Sequence, residues 1–79
     1  MNADRRKRLE KLSNQLSDIH DELEALKDEE QEAYDNMPEG LQAGERGEAA
    51  QQAADALDSA YGSIEEALSY LEEAGNVGQ

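Results

Sequence analysis

A proline and three glycines separate two long stretches of helix-forming residues and restrict the chain to a few architectures. Pro38, Gly40, Gly44 and Gly47 interrupt an otherwise continuous helical pattern. Proline pushes the preceding residue out of the helical region, so a helix ends close to Met37. The pattern predicts a first helix over about residues 3–36, a turn over about 37–45, a second helix over about 46–74 and a frayed tail over 75–79.

The first predicted helix has a narrow apolar seam. Its large apolar residues follow one another at intervals of 3, 4, 3, 4 and 3, the heptad spacing of a coiled coil. The seam consists of Leu9, Leu12, Leu16, Ile19, Leu23 and Leu26. Asn2 or Asp4 is expected to cap this helix. Glu30 takes the next seam position, and either it fixes the helix register or it reaches solvent because the seam opens near the turn.

The second predicted helix has a wider apolar band. Its large seam residues, Leu57, Ile64 and Leu71, recur every seven residues. The other seam position is filled by small residues, namely Ala53, Ala60, Ala67 and Ala74. Alanines allow a neighbouring backbone to approach closely, and the leucines of the first helix would fill the remaining space. Because one partner helix cannot cover the whole band, we expect a self-association surface at Ala54, Tyr61 and Leu68.

These patterns predict an all-α fold, an antiparallel helical hairpin of two long helices. Folding back would place the basic segment 5–11 beside the acidic end of the chain, and a short turn suffices for this geometry. Seventy-nine residues without cysteine provide a small core and no disulfide. We therefore expect a homodimer or higher oligomer, with two hairpins forming a four-helix bundle, helix 2 against helix 2. A single extended helix in a parallel coiled coil is the alternative, and Pro38 counts against it.

The charge is large and unevenly distributed. The net charge is −13, with a local +3 over residues 1–11 and −16 over residues 12–79. Such an acidic body repels nucleic acid and anionic membranes and attracts basic protein surfaces. The plainer interpretation is a helix surface kept solvated by its carboxylates. No apolar run reaches membrane-spanning length and the start has no signal-peptide core, so we expect a soluble, cytoplasmic protein with no membrane contact.

No motif indicates catalysis, a cofactor or a metal. His20 is the only histidine, and Ser17 occupies the place where a Glu-x-x-His metal motif needs glutamate. The carboxylates of residues 28–35 lack the glycine-bearing loop of a calcium site. We therefore expect a non-enzyme without cofactors, in which His20 faces solvent or flanks a partner. Tyr34 and Tyr61 are expected either to meet near the turn or to close the end of the bundle.

Two short motifs lie on either side of the turn. Residues 28–33, DEEQEA, precede an Asn-Met-Pro-Glu turn, and residues 45–49, ERGEA, open an alanine-rich helix. In these features residues 28–68, about half of the chain, resemble small acidic helical proteins encoded by bacteriophages and prophages. The resemblance implies a phage origin and a small accessory role inside a bacterial host cell, and no catalytic residues carry over from it.

Two classes of function are consistent with this sequence. The first is an interaction protein that binds a host protein with a basic surface, for example as an inhibitor whose carboxylates imitate phosphates. The alternative is a structural, self-assembling coiled-coil element with no strong heterologous partner. Direct binding of nucleic acid by the basic start is not expected. The interaction candidates lie at the turn: Pro38, Glu39, Gly40, Leu41, Glu45, Arg46 and Glu48. Of these, Leu41 is expected to fold over the end of the hairpin.

Overall fold

A computed structural model describes residues 1–77 of the chain. Within that range the chain forms α1 (Ala3–Asp35), α2 (Glu39–Gln42) and α3 (Glu45–Asn76), and it contains no strand. The two long helices lie side by side in a rod of 58 × 15 × 13 Å. The predicted all-α class, built on two long helices, is confirmed.

Contacts along the rod show that α1 and α3 run in opposite directions. Leu9, near the start of α1, lies against Gly75 at the end of α3. The imidazole Nε2 of His20 lies 3.6 Å from the Glu65 Oε2, and the Lys27 Nζ lies 3.6 Å from the Asp58 Oδ1. Residue numbers therefore fall along α3 as they rise along α1, as in a helical hairpin.

The ends of α1 follow from its capping residues. The side chain of Asn2 accepts a hydrogen bond from the backbone N–H of Arg5 at 2.8 Å, which satisfies one of the free donors at the helix start. At the other end the N–H of Asn36 donates to the Glu32 carbonyl at 3.0 Å, two residues before Pro38. The predicted bounds of this helix agree with the structure to within one residue.

The end of α3 differs from the prediction. The helix continues to Asn76, so Gly75 and Asn76 are helical where the sequence predicted a frayed tail. A Cβ built on Gly75 would lie 3.4 Å from the Cδ2 of Leu9, an ordinary contact across the hairpin. Packing of this last turn against the start of α1 supports helix beyond the predicted end. The prediction for residues 78 and 79 falls outside the described residues.

The turn contains a short helix that the sequence analysis did not predict. The backbone N–H groups of Leu41 and Gln42 donate to the carbonyl of Pro38 at 2.9 and 3.0 Å. The side-chain amide of Gln42 donates to the carbonyl of Tyr34 at 2.9 Å. Because Tyr34 belongs to the last turn of α1, this bond fastens α2 to the end of α1.

Gly47 allows α2 to lie directly against the first turn of α3. The residue is buried, and a Cβ at this position would collide with the backbone carbonyl of Gln42. A backbone atom cannot move aside as the end of a flexible side chain can. The requirement for glycine is therefore one of space between two backbones.

We predict that Gly47→Ala lowers the free energy of unfolding by about 1–3 kcal/mol, because it forces α2 away from α3. Gly62→Ala is the matched control, since Gly62 lies inside α3 with no neighbour within 4 Å of an added Cβ. That change should raise the free energy of unfolding by about 0.5–1 kcal/mol, because alanine favours helix. Urea unfolding followed by circular dichroism measures both effects. Equal effects of the two substitutions would refute the close contact at Gly47.

The interface between α1 and α3 buries little. Among the described apolar residues, Ala50 and Ala54 are the ones that are nearly covered, with 6% and 5% of their surfaces exposed. The accessible surface is 5907 Å², whereas a compact monomer of this mass would expose about 4,700 Å². The hairpin therefore leaves unusually much of its surface in contact with water.

Half of the predicted seam of α1 faces away from α3. Leu9, Leu16 and Leu23 are half-buried against α3, and so are their predicted partners Leu57, Ile64 and Leu71. In contrast, Leu12, Ile19 and Leu26 are 55%, 46% and 51% exposed. The polar positions Ser13, His20 and Lys27 are also half-buried, on the other side of the leucine line. Helix α1 is thus rotated relative to the prediction, and Glu30 is half-buried at its edge.

Candidate protein-binding surfaces

Tyr61 lies at the centre of the contact between the helices. Its ring stacks on His20, with the ring centroids 4.2 Å apart and the planes inclined at 24°. The Lys27 Nζ lies 4.7 Å from the centre of the same ring, within range of a cation–π interaction. Two polar side chains of α1 therefore make contacts that the sequence assigned to apolar residues.

His20 belongs to the intramolecular interface. Its side chain is 17% exposed, with Nδ1 3.6 Å from Asp21 Oδ1 and Nε2 3.6 Å from Glu65 Oε2. The Nε2 atom is buried without a hydrogen bond. His20 flanks its partner helix α3 inside the hairpin, which is the second of its two expected positions; the first, facing solvent, is not what the structure shows. Its stacking on Tyr61 also means that Tyr61 packs on histidine, where the sequence suggested Tyr34.

The surroundings of Tyr61 keep its phenol protonated. Burial raises the pKa of Tyr61 above its ordinary value of 10.0, and the carboxylates of Glu24, Glu65 and Asp21 raise it further. The ammonium of Lys27 acts in the opposite direction. The neutral ring is the form that stacks within the hairpin at physiological pH.

We predict that the folded chain loses stability above pH 10 partly through Tyr61. Below the ordinary pKa the phenol is protonated in both states, so its contribution is complete. As the pH rises through the raised pKa of the folded form, the unfolded chain releases the proton first and the free energy of unfolding falls. Urea unfolding at pH values on both sides of 10 should show a smaller fall for Tyr61→Phe than for the wild type. Tyr70→Phe, which leaves Tyr61 intact, should retain the wild-type fall; identical curves for all three would refute this prediction.

The α3 positions predicted for self-association are instead covered by α1. Ala54 is 5% exposed, Tyr61 is in contact with His20 and Lys27, and Leu68 is half-buried. The apolar band of α3 therefore packs against two lines of residues on α1, the leucines and the polar positions beside them. These three residues form part of the hairpin itself and offer little free surface.

A line of exposed apolar side chains lies on α1 and consists of Leu12, Ile19 and Leu26, which we call the α1 stripe. These residues are seven apart, so they form one line along the helix. His20 and Lys27 mark the opposite edge of the α1–α3 contact, where they meet Tyr61 and Asp58. By the same helical geometry, the edge of α3 that adjoins the α1 stripe carries the half-buried alanines that we call the alanine flank: Ala53, Ala60, Ala67 and Ala74.

A shallow groove lies on the other side of the hairpin, at the Lys27 edge. It has a volume of about 280 Å³ and is lined by Lys27, Asp28, Gln31, Ala54, Asp55 and Asp58. The groove contains three aspartates and one ammonium group, and that ammonium lies 3.6 Å from the Asp58 Oδ1. Within residues 1–77 no group of three or more histidine or carboxylate side chains is arranged to hold a metal ion.

The interaction candidates at the turn are all exposed: Pro38, Glu39, Gly40, Leu41, Glu45, Arg46 and Glu48. Leu41 is 42% exposed, so it does not fold over the end of the hairpin as the sequence suggested. An exposed apolar side chain among carboxylates resembles the apolar centre and polar rim of many protein interfaces. The tip of the rod is therefore a second surface that could contact a protein.

Exposed carboxylates lie along most of the rod, beyond the basic segment 5–11. Of the eighteen acidic residues in segment 12–79, all except Glu30 are exposed. Lys27, one of the two cations in that segment, is in contact with Asp58 and Tyr61. Across the described residues, no ion pair within 4 Å joins the basic segment 5–11 to the acids of α3. The basic segment therefore lies near the acidic end of α3, as predicted, but the two form no salt bridge.

Comparison with models of protein families, with curated proteins and with solved structures gives no match for this chain. The resemblance to phage-encoded proteins therefore stays a prediction. None of the helices in the described part of the chain combines the length and the apolar character needed to cross a membrane.

Proposed function

We propose that this chain is a non-enzymatic accessory protein, phage-encoded and active in the cytoplasm of a bacterial host. It acts by binding a host protein with a basic surface, as an acidic inhibitor of a defence or nucleic-acid-handling protein. The single observation that carries this proposal is the exposure of nearly every carboxylate along a narrow rod.

The density of charge supports imitation of a nucleic acid. Thirteen net negative charges over 58 Å amount to one charge per 4.5 Å of rod. A nucleic-acid strand carries one phosphate per roughly 3.4 Å, which is close to this spacing. The helices hold the carboxylates at fixed spacing, so a basic channel shaped for a phosphate backbone would meet a comparable array of charges.

A second candidate function is a structural, self-assembling element. The observation that favours it is the α1 stripe, whose three large apolar side chains are about half exposed in the isolated hairpin. Lines of apolar residues along one side of a surface helix are typical of helix–helix association.

The first proposal predicts a stoichiometric complex that weakens with salt. Tagged protein would be used to capture partners from bacterial lysate at low and high salt, and each captured partner would then be purified and titrated. We expect the affinity of a true partner to fall steeply as salt rises, because charge–charge attraction over long distances is screened. Affinity that does not change with salt would refute the electrostatic mechanism.

Two matched triple variants test whether the charge of the whole rod is used. One replaces the exposed Glu66, Glu72 and Glu73 by Gln, and the other replaces Glu39, Glu45 and Glu48 at the tip. Each removes three charges, and we expect each to weaken binding by about tenfold. Loss confined to the tip variant would contradict nucleic-acid imitation and place the interface at the turn. Thermal unfolding of both variants checks that they retain the fold.

A further inference from the structure

We infer that the α1 stripe binds the α1 stripe of a second copy of this chain, with the two α1 helices antiparallel and Ile19 at the two-fold axis. This inference rests on the self-assembly alternative described above and is independent of binding to a basic protein. It places the self-association surface on α1, whereas the sequence predicted it on α3.

The stripe is symmetrical about its centre. Leu12 and Leu26 are each seven residues from Ile19, so an antiparallel pair centred on Ile19 places Leu12 of each chain against Leu26 of the other. All three side chains are between 46% and 55% exposed. A two-fold interface of this kind buries the same surface on both copies.

The charges beside the stripe select the antiparallel orientation. The outer edge of the stripe carries the exposed residues Arg8, Gln15, Glu22 and Glu29. In the antiparallel pair Arg8 lies next to Glu29 of the other copy, and Gln15 next to Glu22. A parallel pair would instead place the outer edges of the two stripes on opposite sides of the contact, so Arg8 would not meet Glu29 of the other copy.

The start of α1 offers an apolar recess edged by cations. A shallow groove of about 270 Å³ is lined there by Met1, Arg5, Arg8, Leu9 and Leu12. A neighbouring groove is lined by Arg8, Lys11, Leu12 and Gln15. An occupant that suits both must combine apolar and acidic side chains. Segment 22–33 of a second α1, which carries Leu26 among its glutamates, has this composition and reaches this position in the antiparallel pair.

The alanine flank allows the second hairpin to approach. Its four residues lie along the edge of α3 next to the α1 stripe and are half-buried in the hairpin. Two hairpins stacked through the α1 stripes therefore also bring the alanine flanks of the two α3 helices together. Small side chains at this position permit the close spacing of a four-helix bundle.

Cysteine cross-linking of the full chain tests both the face and the orientation, because the natural sequence has no cysteine. Ile19→Cys should form a disulfide-linked dimer, since its two copies meet at the axis. Leu12→Cys alone should not, because its two copies are separated by fourteen residues, or about 21 Å, far beyond the reach of a disulfide. A mixture of Leu12→Cys and Leu26→Cys chains should cross-link in unlike pairs. Ser69→Cys, at an exposed position on the side of α3 opposite Ala60, measures random collision.

The outcomes separate the alternatives. Cross-linking of Leu12→Cys alone above the Ser69→Cys level would overturn the antiparallel orientation. Ile19→Cys at that level would overturn the proposed face. A sedimentation mass of one 8.7 kDa chain for the wild type, at the concentrations used for cross-linking, would overturn the dimer. These results leave the salt-dependent binding of a basic partner unaffected, so the two proposals fail separately.

A charge exchange gives an independent test without cysteine. Arg8→Glu and Glu29→Arg should each raise the dissociation constant of the dimer by about three- to tenfold, because each places like charges side by side. The double variant carries the exchanged pair and should return to within about twofold of the wild type. If the double variant loses as much dimer affinity as the two single variants combined, the pairing of Arg8 with Glu29 is overturned. Sedimentation equilibrium measures all four chains, and circular dichroism confirms that each remains helical.

Discussion

The contact of Tyr61 with His20 and Lys27 sets the rotation of α1, and most of the surface follows from it. A ring stacked at 4.2 Å on one side chain and 4.7 Å from the cation of another anchors the polar positions of α1 over α3. Aromatic and cation–π contacts contribute roughly 0.5–1.5 kcal/mol each when partly desolvated. With His20 and Lys27 turned inward, the residues one position before them in chain order, Ile19 and Leu26, are turned outward. The apolar stripe on the outside of the rod is thus a consequence of this inner contact.

The sequence predicted the elements of the fold better than the way in which they pack. Pro38 and the Asn2 cap act locally, so helix ends could be read from the residues nearby. The 3–4 spacing of leucines also identified apolar positions correctly, but it could not say which of two adjacent lines faces the partner. That choice depends on Tyr61 of α3, a residue about forty positions away from His20. A pattern of hydrophobic residues does not predict that a histidine will turn inward to stack on a tyrosine.

The candidate surfaces were predictable to a similar degree. The exposed turn and the acidic body follow from composition and from the glycine-rich break. The role of Gly47 does not, because it depends on a short helix that returns Gln42 to within contact of α3. A glycine after a turn is usually explained by backbone conformation, whereas here the space between two backbones requires it. Gln42 makes the bond that fastens this short helix, from its side-chain amide to the Tyr34 carbonyl. No sequence pattern around a glutamine predicts such a bond.

The two proposed interactions differ in how salt acts on them, because they use charge over different distances. Attraction of a basic partner by the whole rod is a long-range effect, and at physiological ionic strength charges more than about 8 Å apart are largely screened. Pairing of two stripes brings apolar side chains together and sets Arg8 against Glu29 at close range, where screening is weaker. The same salt also screens the repulsion between two bodies of charge −13. Salt therefore weakens the proposed heterologous complex while leaving the proposed dimer largely intact. The dimer, which displays two acidic rods, would thus release a basic partner at high salt and remain a dimer.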